Sequence, residues 1–125
     1  MIERHFFGIE MELAEQVGNR RDDALHGYRL HLPLTPEGHI DSSAFLDHAD
    51  AFKVARWRRG ESKQHGQILR GGSGRWTFRY DGAGDIADET SFRLSEARFA
   101  PGRFLSVTED DGATRAFKVI SVTPD

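Results

Sequence analysis

The segment 75–80 alternates strictly between basic or hydroxyl side chains and aromatic ones, and this pattern constrains the fold more than any other. In an extended chain its three aromatic residues fall on one face. Alternation with period two in β-favouring residues is typical of a strand with one buried face. A glycine-rich stretch at 71–74 separates this strand from the run 67–70. The sequence therefore predicts a β-hairpin here.

A second hairpin is predicted between 104–108 and 115–122, because an Asp-Gly pair ending at Gly112 lies between two β-rich runs. Apolar residues occupy both parities of the second run: Phe117 and Ile120 fall on opposite faces. Such a strand is either buried on both faces or contains a bulge.

Further short strands are predicted at 7–13, 26–32, 52–57 and 92–94. The segments 16–23 and 81–90 are polar and aperiodic, so they are interpreted as loops. A short helix is predicted after Asp41, a plausible N-cap.

Together these patterns predict an all-β chain, or a mainly β chain with one short helix. The architecture that fits is a small antiparallel barrel or sandwich of about seven strands. Its 125 residues suit one domain, 1–125, whose core is best defined over 52–122.

Composition excludes several classes of protein. No run approaches the ~18 apolar residues that a membrane span needs, and the first residues do not resemble a secretory leader. Cysteine is absent, which excludes disulfides, thiol nucleophiles and cysteine-based metal sites. A cytoplasmic protein with no membrane partner is the simplest interpretation.

Charge is distributed unevenly along the chain. Segments 1–52 and 81–125 carry about −6 and −4, whereas segment 53–80 carries about +7 and both tryptophans. Basic residues interleaved with aromatic rings are what a single-stranded nucleic-acid surface requires, and small barrels often provide one. The candidate nucleic-acid-binding residues are Arg56, Trp57, Arg58, Arg59, Arg70, Arg75 and Arg79.

The same pattern has an ordinary explanation. On the strand at 75–80 the aromatic face would be core, and the arginine face would be merely solvated. The net charge of −3 also argues against a strong phosphate binder.

No catalytic residue, metal ligand or cofactor is assigned from the sequence. The histidines and acids between His39 and Asp50 match no established metal-ligand spacing. No serine lies in a Gly-x-Ser-x-Gly elbow, and the glycines at 71–74 join two strands rather than opening a helix.

Two resemblances accompany these patterns. The segment 99–107 with the strand 115–121 resembles part of the flavin-binding barrel of ferredoxin-reductase-like enzymes, which implies a flavin held by this hairpin. Lys118 stands where that family usually has a small hydroxylic residue. More widely, 74–81 and the closing hairpin resemble a family of small uncharacterised bacterial β-rich proteins, which implies no activity.

The leading hypothesis is a non-enzymatic binding or interaction domain whose edge strands pair with a protein partner or with a second copy. One alternative is a single-stranded nucleic-acid-binding barrel that uses the basic segment 53–80. The other is a small cofactor- or metal-binding protein that uses the closing hairpin or the region 39–50.

Overall fold

The computed structural model describes residues 6–14, 26–81 and 86–125. The predicted connection at 16–23 and part of the predicted loop at 81–90 lie outside these residues. The described residues form eight antiparallel strands that close into a barrel. The strands are β1 Phe6–Leu13, β2 Gly27–Pro33, β3 Lys53–Trp57, β4 Gln64–Arg70, β5 Trp76–Tyr80, β6 Glu89–Ser91, β7 Phe104–Thr108 and β8 Thr114–Pro124.

Strand order in the barrel follows strand order in the sequence. Every strand pairs with its neighbours along the chain, and β1 pairs with β8 to close the ring. The prediction of a mainly β antiparallel fold with one short helix is confirmed, as a barrel of eight strands rather than about seven. Both predicted hairpins are present, as β4–β5 and β7–β8.

A β-bulge explains why apolar residues occupy both parities of the last strand. β1 residue Glu10 pairs with Ser121, but the next residue, Met11, pairs with Val119. Ile120 is thus the extra residue of the bulge, and it is 44% exposed. Because one residue is inserted, the inward-facing positions of β8 shift by one residue at this point, as expected for a bulge.

The strand predicted at 92–94 is wrong. The strand is β6, at Glu89–Ser91, and the chain then turns into a 3₁₀-helix at Leu94–Glu96. β6 carries no apolar residue: its two buried positions hold the Glu89 carboxylate, which bonds to Arg56, and the Ser91 hydroxyl, which bonds to the Ser106 carbonyl of β7. The apolar residue that suggested the wrong position, Phe92, is 55% exposed.

A helical segment connects β2 to β3, broadly as predicted. It consists of a four-residue α-helix, α1 Phe45–His48, between 3₁₀ turns at Ser42–Ala44 and Ala49–Ala51. Asp41 precedes it at the predicted position but makes no side-chain capping bond; it accepts a hydrogen bond from the Ser43 hydroxyl instead.

The two ends of the barrel differ in chemistry. At one end the Phe52 and Trp76 rings stack with centroids 5.7 Å apart, and Phe45 of α1 contacts both edge-on. The helical connection therefore covers this end with apolar groups. Buried apolar residues from β1 to β8 fill the middle of the barrel, and charged residues occupy the opposite end.

Candidate functional site

Inward-facing polar residues gather at the end of the barrel opposite α1. Antiparallel pairing brings the starts of β2, β6 and β8 beside the ends of β3, β5 and β7, so distant parts of the sequence meet there. We call this group the polar cluster; its members are His26, Tyr28, Arg56, Arg58, Tyr80, Glu89, Glu109, Asp110 and Arg115.

Glu89 of β6 is the first of two carboxylates that are wholly buried in the polar cluster. Its Oε1 accepts hydrogen bonds from the hydroxyls of Tyr28, at 2.9 Å, and Tyr80, at 2.6 Å. Its Oε2 accepts from Arg56 at 3.0 Å and Arg58 at 2.9 Å. The same oxygen also accepts a bond of 3.0 Å from the backbone N–H at position 110.

Glu109, which follows β7, is the second buried carboxylate. Burial alone would raise its pKa, but hydrogen bonds to His26, Tyr28 and Arg115 outweigh burial and lower the pKa to about 2. The Tyr28 hydroxyl lies 2.6 Å from Glu109 Oε2 and also contacts the other carboxylate, so one proton serves two acceptors. Burial, and then the neighbouring tyrosine and carboxylates, raise the pKa of Tyr28 above its ordinary value.

Arginines bind the two carboxylates together. Arg58 contacts Glu89 and also Glu109 Oε2, the latter at 3.1 Å. It lies 2.8 Å from Asp110 Oδ1 as well, an ion pair without the alignment of a hydrogen bond. Arg115 donates to Glu109 Oε1 at 2.7 Å. Each of the four oxygens of Glu89 and Glu109 therefore has a protein donor. These hydrogen bonds connect β2, β3, β5, β6 and β8.

Strand parity is the sequence signal that would have located this cluster. In β3, Arg56 shares its parity with buried Val54, so it points inward. Likewise Glu109 occupies the next inward position after Val107 of β7. The sequence prediction missed Arg56 because the charges at 53–80 were interpreted as one surface, and it missed Glu109 because this residue lies beside the Asp-Gly turn that ends at Gly112.

The seven residues predicted to bind nucleic acid do not form one surface: two lie inside the barrel, one is half-buried and four are exposed. Arg56 is 2% exposed and lies over the Tyr80 ring, and Arg58 joins it inside the polar cluster, so the structure brings these two together in the interior. Trp57 is half-buried, with Lys63 above its ring at 5.9 Å. The other four are on the outside: Arg59, Arg70, Arg75 and Arg79, the last paired with Asp88. Nucleic-acid binding by these side chains stays a prediction.

A groove opens in the barrel wall where β6 and β7 separate. Among the described residues these strands share a single pair, Thr90 with Thr108, whereas β7 pairs with β8 over five residues. The groove has a volume of about 640 Å³ and lies between β7 and the segment from Ser91 to Ala97. Of the four large apolar side chains that the described residues expose, two line it: Phe92 at 55% and Phe104 at 63%.

Backbone groups of β7 face this groove. Val119 N–H donates to the Arg103 C=O and Glu109 N–H donates to the Ala113 C=O, so the residues of β7 between them that bond to β8 are 105 and 107. The N–H and C=O groups of Phe104 and Ser106 therefore point towards β6. Within the described part of the chain, Ser106 C=O accepts from the Ser91 hydroxyl, but its N–H and both backbone groups of Phe104 have no protein partner.

Comparison of the chain with protein-family models, with curated proteins and with solved structures gives no match. Both resemblances noted from the sequence therefore remain hypotheses. No described helix is long and apolar enough to cross a membrane.

His39 is one of the residues considered for metal binding. Its Nδ1 lies 2.9 Å from the backbone carbonyl oxygen of Ala97.

Proposed function

We propose that this chain is a non-enzymatic, cytoplasmic interaction domain that binds an extended segment of a partner protein in the groove between β6 and β7. The observation that carries the proposal is the free edge of β7 at Phe104 and Ser106, exposed in an otherwise closed barrel. A bound segment would add a strand to this edge, as in other domains that recognise extended peptides.

The chemistry of the groove favours a peptide over a small apolar ligand. Unpaired backbone groups need both donors and acceptors at strand spacing, and another backbone supplies them. Phe92 and Phe104 flank these groups with apolar surface. The two charged lining residues, Arg93 and Glu96, have opposite signs and lie 3.9 Å apart, so the groove favours an uncharged segment with apolar side chains at alternate positions.

The shape of the groove favours a partner segment over a second copy of this chain. The β7 edge faces a wall formed by residues from 91–97 across the groove. A single extended strand can enter such a groove. The matching edge of another barrel carries the same wall, and two walls would meet before the two β7 edges came within the ~4.8 Å of paired strands.

The test uses a lysine-flanked hexapeptide of alternating threonine and valine, titrated into the ¹⁵N-labelled protein. We expect chemical-shift changes and hydrogen-exchange protection at the amides of Phe104 and Ser106. The same peptide N-methylated at alternate residues cannot donate ladder bonds, and it should cause neither effect. Equal binding of both peptides, or shifts confined to other regions, would contradict strand addition.

A pair of variants tests the apolar wall. Phe104→Ala should weaken peptide binding by about fivefold or more, because it removes the largest apolar surface beside the free edge. Leu46→Ala is the matched control, since Leu46 is 83% exposed on α1 and does not line the groove. If the two variants bind alike, the side chain of Phe104 plays no part in recognition.

A further inference from the structure

We infer that the Ser91 hydroxyl is an autoinhibitory contact that occupies one of the backbone acceptors an incoming strand needs; this inference rests on the proposed function. Ser91 is the last residue of β6 and is 1% exposed. Its hydroxyl donates a hydrogen bond of 2.9 Å to the backbone C=O of Ser106, across the gap where the β6–β7 ladder has stopped.

The direction of this bond makes the Ser91 hydroxyl a competitor of an incoming strand for the Ser106 carbonyl. The Ser106 C=O lies in the plane of the sheet and points from β7 towards β6, which is the direction from which a new strand would donate. A carbonyl has two lone pairs, so two donors compete for it only when both approach from the side of the same neighbouring strand. Ser91 is on that neighbouring strand, so its hydroxyl approaches from the same side.

Ser91 is also held in place for this role. It pairs with Trp76 of β5 on its other side, so its backbone is fixed by the β5–β6 ladder. Only the hydroxyl must rotate away when a peptide N–H reaches the Ser106 carbonyl. The buried hydroxyl then loses its partner, and binding must offset the free energy of that lost hydrogen bond.

Removal of the hydroxyl should therefore tighten peptide binding. We expect Ser91→Ala to bind the threonine–valine peptide about fivefold more tightly than the wild type. In this variant the peptide no longer has to displace the hydrogen bond between the Ser91 hydroxyl and the Ser106 carbonyl. Ser91→Cys, which has a similar size and a weak donor, should change affinity in the same direction and provides a second variant if the first folds poorly. Ser43→Ala is the control, because its hydroxyl bonds to Asp41 away from the groove.

The outcomes separate this inference from the proposed function. Tighter binding in the Ser91 variants, with Ser43→Ala like the wild type, supports the autoinhibitory contact. If the wild type binds the peptide and the Ser91 variants bind equally or more weakly, the contact is not inhibitory although the groove still binds peptides. If neither the wild type nor the folded Ser91 variants bind, both the proposed function and this inference are overturned.

Discussion

Glu89→Gln is the substitution that tests most directly what the polar cluster does. Glutamine has almost the same shape, and its amide can turn its oxygen to the arginines and its NH₂ to Tyr28 and Tyr80. The loss is therefore mainly one buried negative charge, which leaves Arg56 without the acid that lies closest to it. Breaking a buried ion pair in this way costs about 3–5 kcal/mol.

That free energy converts into a large shift of the unfolding midpoint. A chain of 125 residues has an unfolding entropy of about 0.26 kcal/mol/K near its midpoint. The Tm of Glu89→Gln should thus fall by about 11–19 °C relative to the wild type. Thermal unfolding followed by circular dichroism at neutral pH measures this shift directly.

The neighbouring residue provides a matched control. Asp88→Asn also replaces one carboxylate by its amide, but Asp88 pairs with Arg79 on the exposed surface. Solvent and salt screen such a pair, so the Tm should stay nearly unchanged. If Glu89→Gln shifts the Tm no more than Asp88→Asn does, the idea that the polar cluster holds the barrel together is refuted.

Three further predictions concern Glu109, Gly66 and the nucleic-acid hypothesis. The folded pKa of Glu109 is about 2, below its ordinary 4.5, so its stabilisation is complete above the ordinary value and is lost as the pH falls through about 2. Urea unfolding between about pH 5 and pH 2 should show this loss in the wild type but not in Glu109→Gln. Gly66→Ala should destabilise the fold by about 1–3 kcal/mol in urea unfolding, because the added Cβ would collide with the backbone carbonyl oxygen of Arg79 in β5. Gly72→Ala, whose Cβ meets nothing within 4 Å, should not. The nucleic-acid hypothesis predicts that single-stranded DNA quenches Trp57 fluorescence at low salt and that Arg59→Ala weakens the effect; unchanged fluorescence would refute it.

Local patterns were sufficient to predict most of the strands. The alternation at 75–80 and the Asp-Gly turn before 115–122 each specify a hairpin through neighbouring residues, and both hairpins are present. The bulge was one of two open interpretations of the last strand, and the pairing of β1 with β8 decides between them. Local sequence could not decide it, since the partner strand lies about a hundred residues away.

The polar cluster and β6 could not be predicted in the same way. Glu89 looked like part of a polar loop because its burial depends on arginines more than thirty residues earlier in the chain. Apolar periodicity detects strands that bury hydrocarbon, and β6 buries charge instead. The groove was also beyond prediction, because it results from a ladder that stops after one pair.

The chain-order arrangement of the strands has a consequence for how the barrel folds. Seven of the eight strand pairs join neighbours in the sequence, so none of them has to close a loop longer than the connection 34–52 between β2 and β3. The eighth joins Phe6–Leu13 to Thr114–Pro124 and must bring together segments from opposite ends of the described chain. Because loop-closure entropy opposes this step before its contacts form, we expect ring closure to limit the folding rate. Substitutions at the β1–β8 ladder should then slow folding more than equally destabilising substitutions within either hairpin.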